Sequence, residues 1–389
     1  MCIDPVGLGA KRVRILLFML MILHHLQLNR KAGNDILRCM TSLTRIAIAA
    51  RKTIRYGIFL ILFLIVGKFL LDIGTTVYKK AFPAPPPPPT VKYGKLTKIP
   101  FPDTGSPVKL TYTLETPEGG LPTKIPTQTK VFFMPKASPN LLSLDAAKST
   151  AEALGFGNSA QQVSDTIYLF NSPKAPTALQ MNIITGTFSI SYNLAQDKSP
   201  LSSKPPIAEV AASEFRSILS GAGILPTDLT GQTTSKYLKL TGGQLVTALS
   251  LSEAIVVKVN LFRKNYDDLP SVTGIPDQAN VWAIISGSAN RDQQIIASEN
   301  HYYPVDETQF STYPIKTPTE AFTEFQNGQA YIAALGLNKE GDNLKIRRVY
   351  LAYFDPGSVT EFFQPVYVFE GDNGFTAYLP AVTSTYYGQ

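Results

Sequence analysis

The chain has 389 residues, 36 Lys+Arg against 29 Asp+Glu, and a formal net charge of +7; its length accommodates two or three compact domains. The positive balance is concentrated: 13 of the basic and 3 of the acidic residues fall within the first 80, leaving 23 basic against 26 acidic in the rest. The larger part is therefore mildly acidic and has no basic stripe, which argues against phosphate-backbone binding and gives no nucleic-acid partner.

Residues 1–55 form a basic segment expected on the cytoplasmic side. Within it, residues 13–27 are apolar but short and interrupted by His24 and His25. This run could be a signal h-region or a poor first membrane helix. Residues 1–39 could instead precede the true start, because Met40 opens an ordinary basic lead. His24 and His25 have no third ligand nearby and are not read as a metal site. Both cysteines, Cys2 and Cys39, lie in this segment; beyond it the chain must hold by packing, without disulfides.

Residues 56–78 are the expected transmembrane helix. The 22 steps from Tyr56 to Tyr78 give about 33 Å at about 1.5 Å each, enough to cross a bilayer core. Tyr56 and Tyr78 fall where an aromatic belt would sit, flanked by Arg55 and by Lys79 with Lys80, and the basic excess before the span points inward. Lys68 and Asp72, four apart, share a face and can pair or reach the nearer interface. Residues 79–104 carry consecutive prolines, which favour polyproline II and read as a semi-rigid stalk.

After the stalk the pattern predicts three units of a helix followed by antiparallel strands, over 105–200, 201–312 and 313–389. In the first, strands at 108–116 and 130–134 precede a helix over 143–154. Ser143 is its N-cap, and Leu144, Ala147, Ala151 and Leu154 form its apolar face. Strands follow at 166–170, 178–183 and 188–192, the last two joined at Thr185-Gly186. In the second unit, Pro205-Pro206 introduces a helix with Ile207, Ala211, Phe215, Ile218 and Leu219 on one side. A strand over 253–262 then sets Ile255, Val257, Val259 and Leu261 against Lys258 and Asn260, and 280–286 and 293–298 form a hairpin. The third unit has a helix from Thr319, ended by Asn327-Gly328, then strands at 329–333, 344–354, 363–369 and 375–380. This is an α+β class, each sheet covered by a helix.

No catalytic constellation emerges. His301 is the one histidine past the span and reads as a surface or packing residue. Asp103-Thr-Gly105 matches an aspartic-protease triplet, but no second triplet exists to share its proton. Ser106-Pro-Val-Lys109 matches Ser-x-x-Lys without its companion motifs. Asp355-Pro-Gly-Ser358 reads as a turn and Gly371-Asp-Asn-Gly374 as a hairpin loop. No catalytic, cofactor-binding or metal-ligating residue is assigned, and no cofactor is expected. Aromatics crowd the C-terminus, including Tyr350, Tyr353, Phe354, Phe363, Tyr367, Phe369 and Tyr378; they suit either a core or a partner face. In the strand over 363–370, Pro365 lacks a donor, so the strand is expected to begin at it or to lie at an edge.

The order Thr319-Glu-Ala-Phe322, Ala352-Tyr-Phe354, Phe363-Gln-Pro-Val-Tyr-Val-Phe369 and Phe375-Thr-Ala-Tyr378 resembles extracytoplasmic YycH/YycI-type regulators of sensor kinases. It is also similar to PepSY-like modules, in which a helix packs on a small antiparallel sheet. The likeness covers mainly residues 315–382 and brings no catalytic residues with it; the proline stalk and the extra N-terminal unit depart from the family. The resulting expectation is a single-pass cell-membrane protein with a cytoplasmic N-terminus and an extracytoplasmic C-terminal part. Its partners would be the lipid bilayer and another envelope protein, which it would bind or regulate. The alternative is an envelope enzyme or cell-wall-associated accessory protein with an unrecognised site.

Overall fold

In a computed structural model describing residues 39–81, 87–103 and 110–388, the apolar run is one helix, α1 (Cys39–Ala81), 43 residues long. Its sequence contains no proline, and Pro83 follows directly beyond it. From Ile46 to Lys79 its mean hydropathy reaches 2.3 with none of that window buried against protein. It is long and apolar enough to cross a bilayer. The expected span 56–78 lies inside it, and the helix runs back through Arg55, Lys52 and Arg51. The chain divides into two compact units, Met1–Pro87 and Pro88–Gln389.

The second unit is mostly β, with few helices. In chain order it contains β1 (Thr111–Leu114), β2 (Gln128–Phe133), α2 (Ser143–Ala153), β3 (Ala160–Gln162), β4 (Ile167–Asn171), β5 (Thr177–Asn182) and β6 (Phe188–Tyr192). Then come α3 (Ala208–Gly221), β7 (Thr233–Thr241), β8 (Gln244–Thr247), β9 (Val256–Leu261), β10 (Ser271–Thr273), β11 (Val281–Ile285) and β12 (Ile295–Asn300). The last group is β13 (Asp306–Pro314), α4 (Pro318–Gln326), β14 (Tyr331–Ala334), β15 (Asn343–Asp355), β16 (Phe362–Gly371) and β17 (Thr376–Pro380).

Two sheets result. One has nine strands in the order β3-β4-β5-β6-β12-β11-β9-β7-β8. The helices α2 and α3 pack on its apolar side, where Ala147, Ala151, Phe215 and Leu219 meet Phe170, Ile190, Val259 and Ile285. The strands expected in separate first and second units thus share one sheet, because β6 pairs with β12 (Ser191↔Ala297). The α2 start also differs. Leu142 is the capping position and Ser143 lies inside the helix, its hydroxyl accepting from the Asn140 amide at 3.1 Å.

The other sheet has eight strands, with the order β1-β15-β16-β17-β14; β10 also pairs with β15, and β2 bridges β13 and β16. The helix α4 opens with a capping box in which Thr317 and Glu320 satisfy each other's backbone amides, as that pattern does. It lays Phe325 on Phe369, ring centroids 4.4 Å apart and nearly parallel. The opposite side holds Val366, Val368, Phe354 and Ile99. The C-terminal aromatics from Tyr353 to Tyr378 quoted above are buried, so they are core; Tyr350 is half-buried.

Two expectations are corrected here. Pro365 lies inside β16, a central strand between β15 and β17. Its carbonyl accepts from the Ala381 amide at 3.0 Å, and the Ala381 carbonyl, which a non-proline residue would have donated to, takes the Lys316 amide at 2.8 Å instead. A third segment therefore supplies the missing donor. The stalk expected over 79–104 does not continue through Leu96. Leu96 is fully buried and its amide donates to the Tyr386 carbonyl at 2.8 Å, so residues near it belong to the packed unit. The prolines at 83 and 85–86 lie outside the described residues.

Candidate functional site

The two sheets meet at a buried charge cluster. Arg263 follows β9, Asp355 ends β15, and Asp228 sits in the turn after α3. Arg263 Nε donates to Asp355 Oδ2 at 2.8 Å, and its Nη1 donates to Asp228 Oδ2 at 2.6 Å. Nη2 donates to the Tyr303 carbonyl. Tyr266 donates its hydroxyl to Asp228 Oδ2 at 2.7 Å, and the guanidinium lies 4.3 Å from the Tyr302 ring centre. All three ionic side chains are less than 9% exposed. Burial works against the guanidinium charge, but Asp355 and Asp228 outweigh it and hold Arg263 above its ordinary value. Burial also pushes Tyr302 up to about 12. Gly231 is required nearby, since a Cβ there would stand 1.8 Å from the Arg263 carbonyl oxygen.

Beside this cluster opens a cleft of about 440 Å³ between the sheets, with Lys236, Asp277, Tyr350, Glu370 and Tyr378 among its walls. Lys236 pairs with Asp277 at 2.9 Å. Tyr350 donates to Glu370 Oε1 at 2.7 Å, and Arg348 meets Glu370 Oε2 at 3.0 Å. Burial first, and then Glu370, raise the Tyr350 hydroxyl above its ordinary range. A second groove of about 470 Å³ shares Tyr350 as a wall, together with Thr116, Glu118, Thr123, Lys124 and Arg348. Aromatic rings with paired charges of both signs suit a polar, extended ligand.

The structure places the sequence candidates apart. His301 is partly exposed, its Nε2 3.9 Å from a Glu299 carboxylate oxygen. Of the triplet at 103–105 and the Ser-x-x-Lys match at 106–109, residues 104–109 lie outside the described residues. Gly371-Asp-Asn-Gly374 is the β16–β17 connection, with Asn373 at φ 59°. Asp355, read as the start of a turn, is a buried ion-pair partner. Sequence reasoning missed Asp228 and Arg263 entirely. The one available signal is a charged residue directly after an apolar strand. Among the described residues no cluster of three or more His, Cys, Asp or Glu stands at metal-binding distance.

No family model matches the chain, and no curated protein does. Among solved structures, it is similar to an uncharacterized protein from Eubacterium rectale, with 13% identity, 68% of this chain and 85% of that one covered, and a TM-score of 0.36. It is also similar to the Bacillus megaterium YpeB C-terminal domain, with 12% identity, coverage of 64% and 95%, and a TM-score of 0.29. Both likenesses are weak and partial.

Proposed function

We propose that the chain is a membrane-anchored binding protein whose second unit, outside the cytoplasm, holds or regulates another envelope protein. The observation that carries this reading is α1: its apolar window lies wholly outside protein contacts, a state in water that a bilayer relieves. The basic residues before it support an inward N-terminus. The intersheet cleft and its neighbouring groove offer a ligand surface. The resemblance of residues 315–382 to YycH/YycI-type regulators supports a regulatory partner rather than a catalysed reaction.

The test is capture of the tagged full-length chain from its own membranes after brief crosslinking, combined with protease added to intact spheroplasts. A stoichiometric envelope protein and loss of residues 88–389 to protease are expected. Full protection from protease removes the topology, and capture of no partner removes the binding role.

A further inference from the structure

The cleft of about 440 Å³ takes side chains from both sheets. On the eight-stranded sheet, Tyr350 and Tyr378 stand on either side of Val368 in register, and Glu370, two residues along β16, stands beside Thr376. From the nine-stranded sheet come Thr234 and Lys236 of β7, in register with Asn260 and Lys258 of β9. Asn260 Nδ2 donates to Thr234 Oγ1 at 3.2 Å, so this is the polar side of β9, opposite Val257 and Val259.

Tyr378 is 1% exposed, and its ring packs with Phe354 and Val368, yet it borders the cleft. Among the described residues no hydrogen bond reaches its hydroxyl, nor the side chains of Gln232, Asn265 and Thr376 on the same walls. Burial raises the Tyr378 hydroxyl above its ordinary value, and Tyr350, Tyr331, Glu370 and Asp277 raise it further. The phenol is therefore a protonated donor, and a buried donor left unpaired is costly. The charges, by contrast, are spent. Lys236 pairs with Asp277, Glu370 with Arg348, and Arg263 with Asp228 and Asp355. No charged side chain on these walls is left for a phosphate or a carboxylate. What remains is amides and hydroxyls, beside apolar surface from Pro270, Val272 and Pro276.

We propose that this cleft binds a neutral saccharide, with the Tyr378 hydroxyl donating to a sugar oxygen and Gln232, Asn265 and Thr376 exchanging hydrogen bonds with its other hydroxyls. This ligand is additional to the protein partner proposed above and does not depend on it. A hydroxyl donates and accepts at one atom, which suits walls where amides, hydroxyls and carboxylate oxygens alternate. A sugar ring also has C–H faces, which the two prolines and Val272 can cover. The volume falls within the roughly 300–1,000 Å³ of small-molecule sites.

The experiment is calorimetric titration of the full-length chain in lipid nanodiscs with cellobiose, maltose and N,N′-diacetylchitobiose. Inorganic phosphate and an acetylated trialanine amide serve as contrasts. At least one saccharide should bind at millimolar concentration, and neither contrast should. Tyr378→Phe removes one hydroxyl and should weaken binding about two- to tenfold, the worth of a single neutral hydrogen bond. Its melting temperature should not fall, because that hydroxyl has no partner within the fold. Asn265→Trp, at an exposed position on the rim, should abolish binding and leave the melting temperature unchanged. Binding of none of the three saccharides overturns the proposal, as does tighter binding of phosphate or of the peptide. Saccharide binding that survives Asn265→Trp, or that Tyr378→Phe leaves at full strength, places the sugar elsewhere and overturns it too. A lowered melting temperature in Tyr378→Phe shows the donor already engaged within the fold, with the same consequence.

Discussion

The two sheets bury their side chains in different ways. In the nine-stranded sheet the residues under α2 and α3 are largely aliphatic, among them Val257, Val259, Leu261, Val281 and Ile285. Its other side carries half-buried polar groups, with Lys258 Nζ 4.2 Å above the Trp282 ring and Glu299 accepting from Trp282 Nε1 at 3.2 Å. In the eight-stranded sheet β16 is buried on both sides, with Tyr367 and Phe369 toward α4 and Val366 and Val368 toward Phe101 and Ile99. A sheet open on one side keeps the alternation of apolar and polar residues, whereas one covered on both loses it. The chain thus joins a one-sided aliphatic layer to a two-sided aromatic one, through Arg263.

The largest expected effect comes from cutting that joint. Arg263→Met leaves Asp228 and Asp355 buried without their cation, and breaking a buried pair this way costs about 3–5 kcal/mol. At about 2–4 °C per kcal/mol for domains of 150–250 residues, and less for larger ones, the melting temperature should fall by several degrees. Trp282 is the sole tryptophan, so its fluorescence reports the nine-stranded sheet, while near-ultraviolet dichroism is dominated by tyrosines of the other. The two transitions should coincide in the parent protein and separate in Arg263→Met. Coincident, unshifted transitions would show that the sheets are not coupled through this residue.

Second in size is Phe369→Ala, inside the aromatic layer. Phe369 is fully buried and stacked on Phe325, and truncating such a ring costs about 3–5 kcal/mol. The cost should sit toward the lower end if Phe322, 6.3 Å away, moves into the space. Thermal unfolding checks it. An unchanged melting temperature would contradict the packing of α4 on this sheet.

Much of this region was legible in the sequence because local signals carry it. Phe322 and Phe325, three apart, mark the covering face of α4, and Asn327-Gly328 marks its end. The alternation in the strand over 253–262 set Ile255, Val257, Val259 and Leu261 on one side; the structure has the last three there, while Ile255 packs with Val256 and Leu238 instead. What was not legible depends on partners distant in sequence. Pro365 occupies a central strand because Lys316, 49 positions earlier, fills the acceptor it leaves open. Asp355 looked like a turn residue because its cation lies 92 positions away. The merging of two expected units turns on the single pairing of β6 with β12, which no local pattern announces.

A smaller effect separates helix capping from helix packing. Thr317→Ala removes the hydroxyl that accepts from the Glu320 amide at 3.2 Å, and loss of such a cap costs about 1 kcal/mol. Thr317→Ser should retain most of the stability, since it keeps the hydroxyl. Equal losses in both variants, measured by urea unfolding, would assign the effect to the threonine methyl instead.

The smallest expected effect lies on the rim of the eight-stranded sheet. Arg347 donates to both carboxylate oxygens of Asp372, at 2.6 and 2.8 Å, and to Glu115 at 3.0 Å. Hydrogen bonding from Arg347 holds Asp372 below its ordinary value, and hydrogen bonding from Lys345 does the same for Glu115. A carboxylate lowered by folding stabilises the folded state above its ordinary value, near 3.9 for Asp, and that contribution fades as the pH falls through the lowered one. Asp372→Asn should therefore lower the melting temperature slightly at pH 7, less at high salt because the groups are exposed. The gap to the parent protein should close as the solution is acidified below about pH 3.9. A gap that persisted after Asp372 and Glu115 were both protonated would mean that the substitution acts through the shape of the β16–β17 turn, and the rim charges would then add nothing to the aromatic layer beneath them.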